Sequence, residues 1–244
     1  MDNERLSREI AALADLVDRL RGPAGCPWDA KQTDDTIKTY LLEEAYEVLE
    51  AVEGGDPREV CEELGDLLFQ ILFLARLAEE RGEFDFTDVA ERIHRKMVRR
   101  HPHVFGETSV NSAEEVVNRW QEIKRAEKET AGNAPSSLKS VPAALPALMK
   151  AHRISERASN EGHDPNHPDG PWKGLEETFE GLRNAVNEED KSRIGNEIGR
   201  HLFGLANLAR KCGFNSENLL RDVIRDFIDR FEGQDAAAGS RKGQ

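Results

Sequence analysis

The chain is poor in cysteine and aromatic residues, and it has no long apolar run. Its three cysteines, Cys26, Cys61 and Cys212, are odd in number and far apart, with no CxxC pair. That excludes a disulfide framework and predicts a reduced, intracellular setting. No apolar stretch reaches membrane-spanning length, and the first ten residues, MDNERLSREI, lack a signal core, so a cytoplasmic protein with no membrane partner is expected. Positive charge is in the minority: 34 Lys and Arg stand against 47 Asp and Glu, a formal net charge of -13. This field argues against nucleic acid as the main partner. Strand-like alternation is also missing.

What is present is helical periodicity. Ile10, Leu13, Val17 and Leu20 form one stripe that ends at Gly22-Pro23. A Gly/Pro loop with a single Trp (22–34) precedes a helix over about 35–52, and a longer helix runs over about 57–81. Asp85 or Thr87 opens the next helix, which carries Arg95, Lys96, Arg99 and Arg100 and ends at His101-Pro102. Ser112-Ala113-Glu114-Glu115 reads as a capping box. Residues 131–142 are linker-like, and helices follow over about 143–161, 173–188, 190–212 and 216–232. The segment 233–244 reads as a disordered tail. The fold class is all-α, with antiparallel helices across short loops.

Two acidic motifs lie inside this apolar frame, Glu43-Glu44-Ala45-Tyr46-Glu47 and Glu62-Glu63-Leu64-Gly65-Asp66. Residues three apart share a helix face, so Glu44/Glu47 and Glu63/Asp66 each make a carboxylate edge. The apolar residues around them draw those edges towards the core, where unpaired carboxylates are too costly to keep ionised. A cation is therefore expected between them, and an all-oxygen donor set suits Mg²⁺, with Mn²⁺ as the alternative. The basic residues on the later helix, Lys96 with Arg99 or Arg100, offer a face to a polyphosphate.

The second half repeats the first. LLEEAYEVLEA (41–51) aligns with 174–184, and EELGDLLFQILFLAR (62–76) with NEIGRHLFGLANLAR (196–210), at offsets of 133 and 134 residues. A shared offset signals duplication of a helical unit. Packing positions persist, but Glu62 becomes Asn196, Asp66 becomes Arg200 and Lys96 aligns with Asp226. A guanidinium cannot ligate a cation, so the second unit is expected to keep the scaffold without the chemistry, with Arg200 paired to Asp226.

GCPWD (25–29), EEAYE (43–47), ELGDLLFQ (63–70), RRHPHVF (99–105) and RWQEIK (119–124) together resemble the MazG family of nucleoside triphosphate pyrophosphohydrolases. The resemblance is strong over about 5–130 and weaker over 143–232. It implies two tandem four-helix units (1–130 and 143–232) in an intertwined homodimer. It also implies Mg²⁺-dependent hydrolysis of an NTP or dNTP between the α and β phosphates, giving the monophosphate and pyrophosphate. By position, Glu44, Glu47, Glu63 and Asp66 match the family's metal ligands, Lys96 and Arg100 its phosphate contacts, and Trp120 and Lys124 residues near the nucleotide. In the second unit Glu177, Glu180 and Glu197 match the ligand set and Arg200 departs from it. Glu43 or Glu62 could take the proton from the attacking water; the sequence does not choose. Trp28 reads equally as a packing anchor or a base-stacking residue.

Two rival readings differ in class. A ferritin-like di-iron bundle needs two Glu-x-x-His motifs, and only Glu91-Arg92-Ile93-His94 is present, away from the acidic pair. A non-catalytic helical dimerisation module is the other.

Overall fold

In the computed structural model, Asp2 accepts a hydrogen bond from the Arg5 N–H at 3.0 Å and starts α1 (Asn3–Arg21). Residues 2–106, 108–130, 138–164 and 170–241 are described. The other helices start and stop with comparable local chemistry. Thr33 and Thr36 form a reciprocal cap on α2 (Asp34–Gly54), which ends at Gly55 with φ 79°, a left-handed conformation that suits glycine. Asp56 caps α3 (Pro57–Glu80), with Pro57 in the first turn, where its missing N–H costs nothing. Asp85, not Thr87, caps α4 (Phe86–Arg100), through a box with Asp88. Each such cap stabilises its helix by about 1 kcal/mol. His101-Pro102 ends α4 and begins a single further turn, α5 (Pro102–Phe105). Ser112 precedes α6 (Ala113–Thr130) and accepts from the Glu115 N–H at 3.2 Å. Then come α7 (Ala147–Asn160), α8 (Pro171–Asn187), α9 (Lys191–Lys211) and α10 (Ser216–Arg241). No strand occurs among the described residues, so the fold is all-α.

Two compact units meet at Gln121/Glu122, within α6, ahead of the expected linker. Of that linker, residues 131–137 lie outside the described residues, and Leu138–Ser140 make a 3₁₀ turn against α7. Helix α10 continues to Arg241, through most of the segment expected as a tail, and its Ala236–Ala238 run favours helix. Residues 242–244 lie outside the described residues.

In the first unit α2 and α3 form a hairpin closed by Gly55 and Asp56, and α1 and α4 pack on α3. Val17, Ile37, Leu72, Phe73 and Leu77 are its buried core, flanked by Leu13, Tyr40 and Phe69. The second unit repeats the hairpin as α8 and α9, with α7 and α10 packed against α9. Apart from Val141 and Leu175, its buried residues are small or polar: Ser155, Ala158, Ala185, Ala206, Asn207 and Ser216.

Candidate metal centre

The α2/α3 hairpin sets the two acidic motifs side by side. Glu44 on α2 and Glu63 and Asp66 on α3 each offer a carboxylate oxygen, all within 4.8 Å of one another. It is the one convergent group of three metal-ligating side chains among the described residues. Charge and burial both act on it. Glu44 has its pKa raised, first by partial burial and then by the charges of Glu47 and Asp66. Glu63 is raised in the same way, by desolvation and then by Glu47, Asp66 and Glu62. Glu47 thus couples to both half-buried members while its own side chain lies exposed beside them. Three mutually repelling carboxylates with oxygens this close are a donor set that fits a hard divalent cation.

Burial is less complete than the apolar sequence context implies. Glu44 and Glu63 are half-buried, whereas Glu47 and Asp66 are exposed, as are Leu64 and Ile71 on the same helix. The apolar run around Asp66 is split between a face turned to Phe73 and the core and a face turned to solvent. The two candidate bases, Glu43 and Glu62, are also exposed.

Gln70 completes the cluster and was not singled out from sequence. It is only 9 % exposed, and its Nε2 donates to Glu44 Oε1 at 3.2 Å, which opposes the upward pKa shift of Glu44. A single amide in LLFQILF, four residues after Asp66 and so on its face, was the available signal.

The basic residues lie on α4, which packs on α3: Lys96 and Arg100 are half-buried and Arg99 is exposed. Arg100 stacks its guanidinium on Trp120, 5.2 Å from the ring centroid, so two of the expected substrate-binding residues touch each other. Lys124 follows on α6, one turn after Trp120, and falls on the other side of the unit boundary. His101 Nδ1 lies 2.7 Å from the Met97 carbonyl oxygen and shapes the end of α4.

The loop before α2 is held rigidly. Arg21 donates to the carbonyl oxygens of Asp29 (2.6 Å) and Gln32 (3.3 Å) and forks onto Glu80 at 2.8 and 2.7 Å. Gln32 Nε2 donates to the Trp28 carbonyl at 3.1 Å. Gly25 lies so close to α1 that an added Cβ would sit 2.3 Å from the Arg19 and Leu20 carbonyl oxygens.

The aligned hairpin of the second unit is different. Arg200, at the position of Asp66, pairs with Glu197 at 3.4 Å within its own helix, and no ion pair joins it to Asp226. The expected Arg200–Asp226 pair is therefore corrected: the neighbour three residues back on the same helix face captures the guanidinium. A groove of about 930 Å³ lies between α8 and α9, lined among others by Glu177, Glu197, Arg200, Phe203 and Asn207.

Residues 32–105 match the model of the MazG nucleotide pyrophosphohydrolase domain. Over 228 residues the chain is 41 % identical to the nucleoside triphosphate pyrophosphohydrolase of Escherichia coli (strain K12), covering 91 % of this chain and 86 % of that protein. Over 221 residues it is 39 % identical to the nucleoside triphosphate pyrophosphohydrolase/pyrophosphatase MazG of Thermotoga maritima, covering 90 % and 83 %. Among solved structures, a mazG-related protein from Thermotoga maritima is similar at 31 % identity and a TM-score of 0.42, covering 47 % of this chain and 97 % of that one.

Proposed function

Because this chain belongs to the MazG family of nucleoside triphosphate pyrophosphohydrolases, we propose that its first unit hydrolyses NTPs or dNTPs at the α–β phosphoanhydride. The products are the nucleoside monophosphate and pyrophosphate. The observation that carries this reading is the convergence of Glu44, Glu63 and Asp66 from two helices onto one point. Together with Glu47 they would hold Mg²⁺, or Mn²⁺ in its place. When bound, that ion supplies neutralisation of the triphosphate and polarisation of its phosphoryl oxygens.

The chain's own residues do the rest. Gln70 fixes the carboxylate of Glu44. Glu43 or Glu62, both solvent-accessible beside the cluster, takes the proton of the attacking water. Lys96, Arg99 and Arg100 hold the departing pyrophosphate, and Trp120, stacked on Arg100, and Lys124 lie near the nucleotide. The second unit is a structural twin without turnover, and the whole chain works as a cytoplasmic homodimer. No described helix is long and apolar enough to cross a membrane.

The test is pyrophosphate release in a coupled assay with Mg²⁺ across canonical nucleoside triphosphates. Glu63→Gln and Asp66→Asn each remove a metal-directed charge without changing volume. Turnover is expected to fall below detection in both, with helical circular dichroism nearly unchanged. Full activity in either variant refutes the metal assignment, and a wild-type chain that turns over no triphosphate refutes the enzyme reading.

A further inference from the structure

Trp28 is 56 % exposed, an unusual position for the largest apolar side chain on an otherwise tightly held loop. Its neighbours are fixed by buried polar contacts. The Asp29 and Gln32 carbonyls receive the Arg21 guanidinium, Gln32 clamps the Trp28 carbonyl, and Cys26 N–H reaches the Leu20 carbonyl at 2.7 Å. Asp29 and Gln32 are themselves buried. The loop is thus built to present an indole, not to hide one.

The indole leans on one partner. Its ring lies 6.0 Å from that of Tyr40, tilted by 57°. Tyr40 packs against the buried core and lies on α2 about one turn before Glu44. Tyr40, Glu44 and Glu47 follow the i, i+4, i+7 spacing of one helix face, and four residues of helix rise about 6 Å. Tyr40 therefore stands about 6 Å along α2 from Glu44, and the exposed Trp28 indole lies beside Tyr40, 6.0 Å from its ring.

We propose that Trp28, backed by Tyr40, is the stacking platform for the base of the nucleotide whose phosphates meet the carboxylate cluster. This deepens the pyrophosphohydrolase reading above and rests on it. Stacking uses the π-face that every base has, so the platform confers affinity for a base without choosing among bases. It separates the roles of the two tryptophans: Trp120 is engaged with Arg100, on the basic side.

The test compares ligands with and without a base. Trp28→Ala is expected to raise KM for both purine and pyrimidine triphosphates by about ten-fold with kcat little changed. Trp28→Phe, which keeps a ring, restores KM to within a few-fold of wild type. Inorganic tripolyphosphate, used as a competitive inhibitor, keeps the same inhibition constant in all three proteins. In a Trp172→Phe protein, nucleoside triphosphate quenches the part of the emission that Trp28→Phe removes, and tripolyphosphate does not. The platform is overturned if KM in Trp28→Ala equals the wild-type value, if tripolyphosphate inhibition weakens in parallel, or if Trp28→Ala changes only the sedimentation of the protein. The last result would make Trp28 a contact between copies. Absence of any turnover in the wild-type chain is a separate outcome that removes the parent reading along with the platform.

Discussion

Gln70 shows how one neutral side chain conditions a charged site. Its amide is the partner of Glu44 and is almost fully buried, so it orients that carboxylate without adding charge. Outer partners of this kind typically change metal affinity by ten-fold or more. Gln70→Ala is expected to weaken Mg²⁺ binding about ten-fold, read by calorimetric titration, with helix content preserved. Glu80 has the opposite electrostatic setting. The Arg21 fork holds its carboxyl below the usual range, with Arg76 adding to the effect. A depressed folded pKa contributes stability above the unfolded value near 4.5, and that stability is lost as pH falls through the folded pKa. Glu80→Gln should therefore destabilise the first unit by about 2 kcal/mol at neutral pH. The gap to wild type in urea unfolding should close in acid. A gap that persists unchanged at acid pH would show that shape, not charge, holds the pair. At this scale the acidic cluster was legible in the sequence, because carboxylates at helical spacing in apolar surroundings are conspicuous. Gln70 and Arg21 were hidden, because a lone amide or guanidinium shows its role only through a partner 26 or 59 residues away.

The two hairpins show what a duplicated element keeps. Leu41, Val48 and Gln70 on α2 and α3 align with Gly174, Gly181 and Gly204 on α8 and α9. The space beside Gly181 and Gly204 is already used. A Cβ on Gly204 would lie 2.9 Å from the Leu175 side chain, and one on Gly181 would lie 3.2 Å from the Glu197 carboxylate. Glu197 is therefore folded onto its neighbouring helix and tied to Arg200, and no second convergent carboxylate group forms among the described residues. The combined variant Glu177→Gln/Glu197→Gln is expected to keep pyrophosphate release within two-fold of wild type, whereas Glu44→Gln abolishes it. A large loss in the first variant would place chemistry in the second unit. Helix order, caps and hairpin loops were legible from periodicity and from Asp, Pro and Gly punctuation. The orientation of Glu197 was not, since the repeat alignment matches it to Glu63 and only packing shows where the carboxylate points.

Among the described residues, α10 carries a continuous apolar stripe that is left uncovered. On α10, Leu220, Val223, Ile224, Phe227, Ile228 and Phe231 recur at i, i+3, i+4, i+7, i+8 and i+11, and each is between 46 % and 64 % exposed. A stripe with that period is made to be buried. The buried residues of the second unit are mostly Ala, Ser and Asn, which bury little apolar area. Covering six half-exposed side chains gains about 1 kcal/mol each per copy. A two-fold arrangement buries the stripe of both copies in one contact, which is the usual solution for such a face. Periodicity makes the stripe visible in the sequence, but not what covers it, because no position in the alternation distinguishes an internal partner helix from another chain. Sedimentation velocity should give a dimer for the wild-type chain. Ile224→Lys/Phe227→Lys, which sets charge into the middle of the stripe, should shift it to monomer and lower the unfolding midpoint of the second unit. A wild-type chain that sediments as a monomer at micromolar concentration rejects the dimer, and the stripe then has to be met by a different protein.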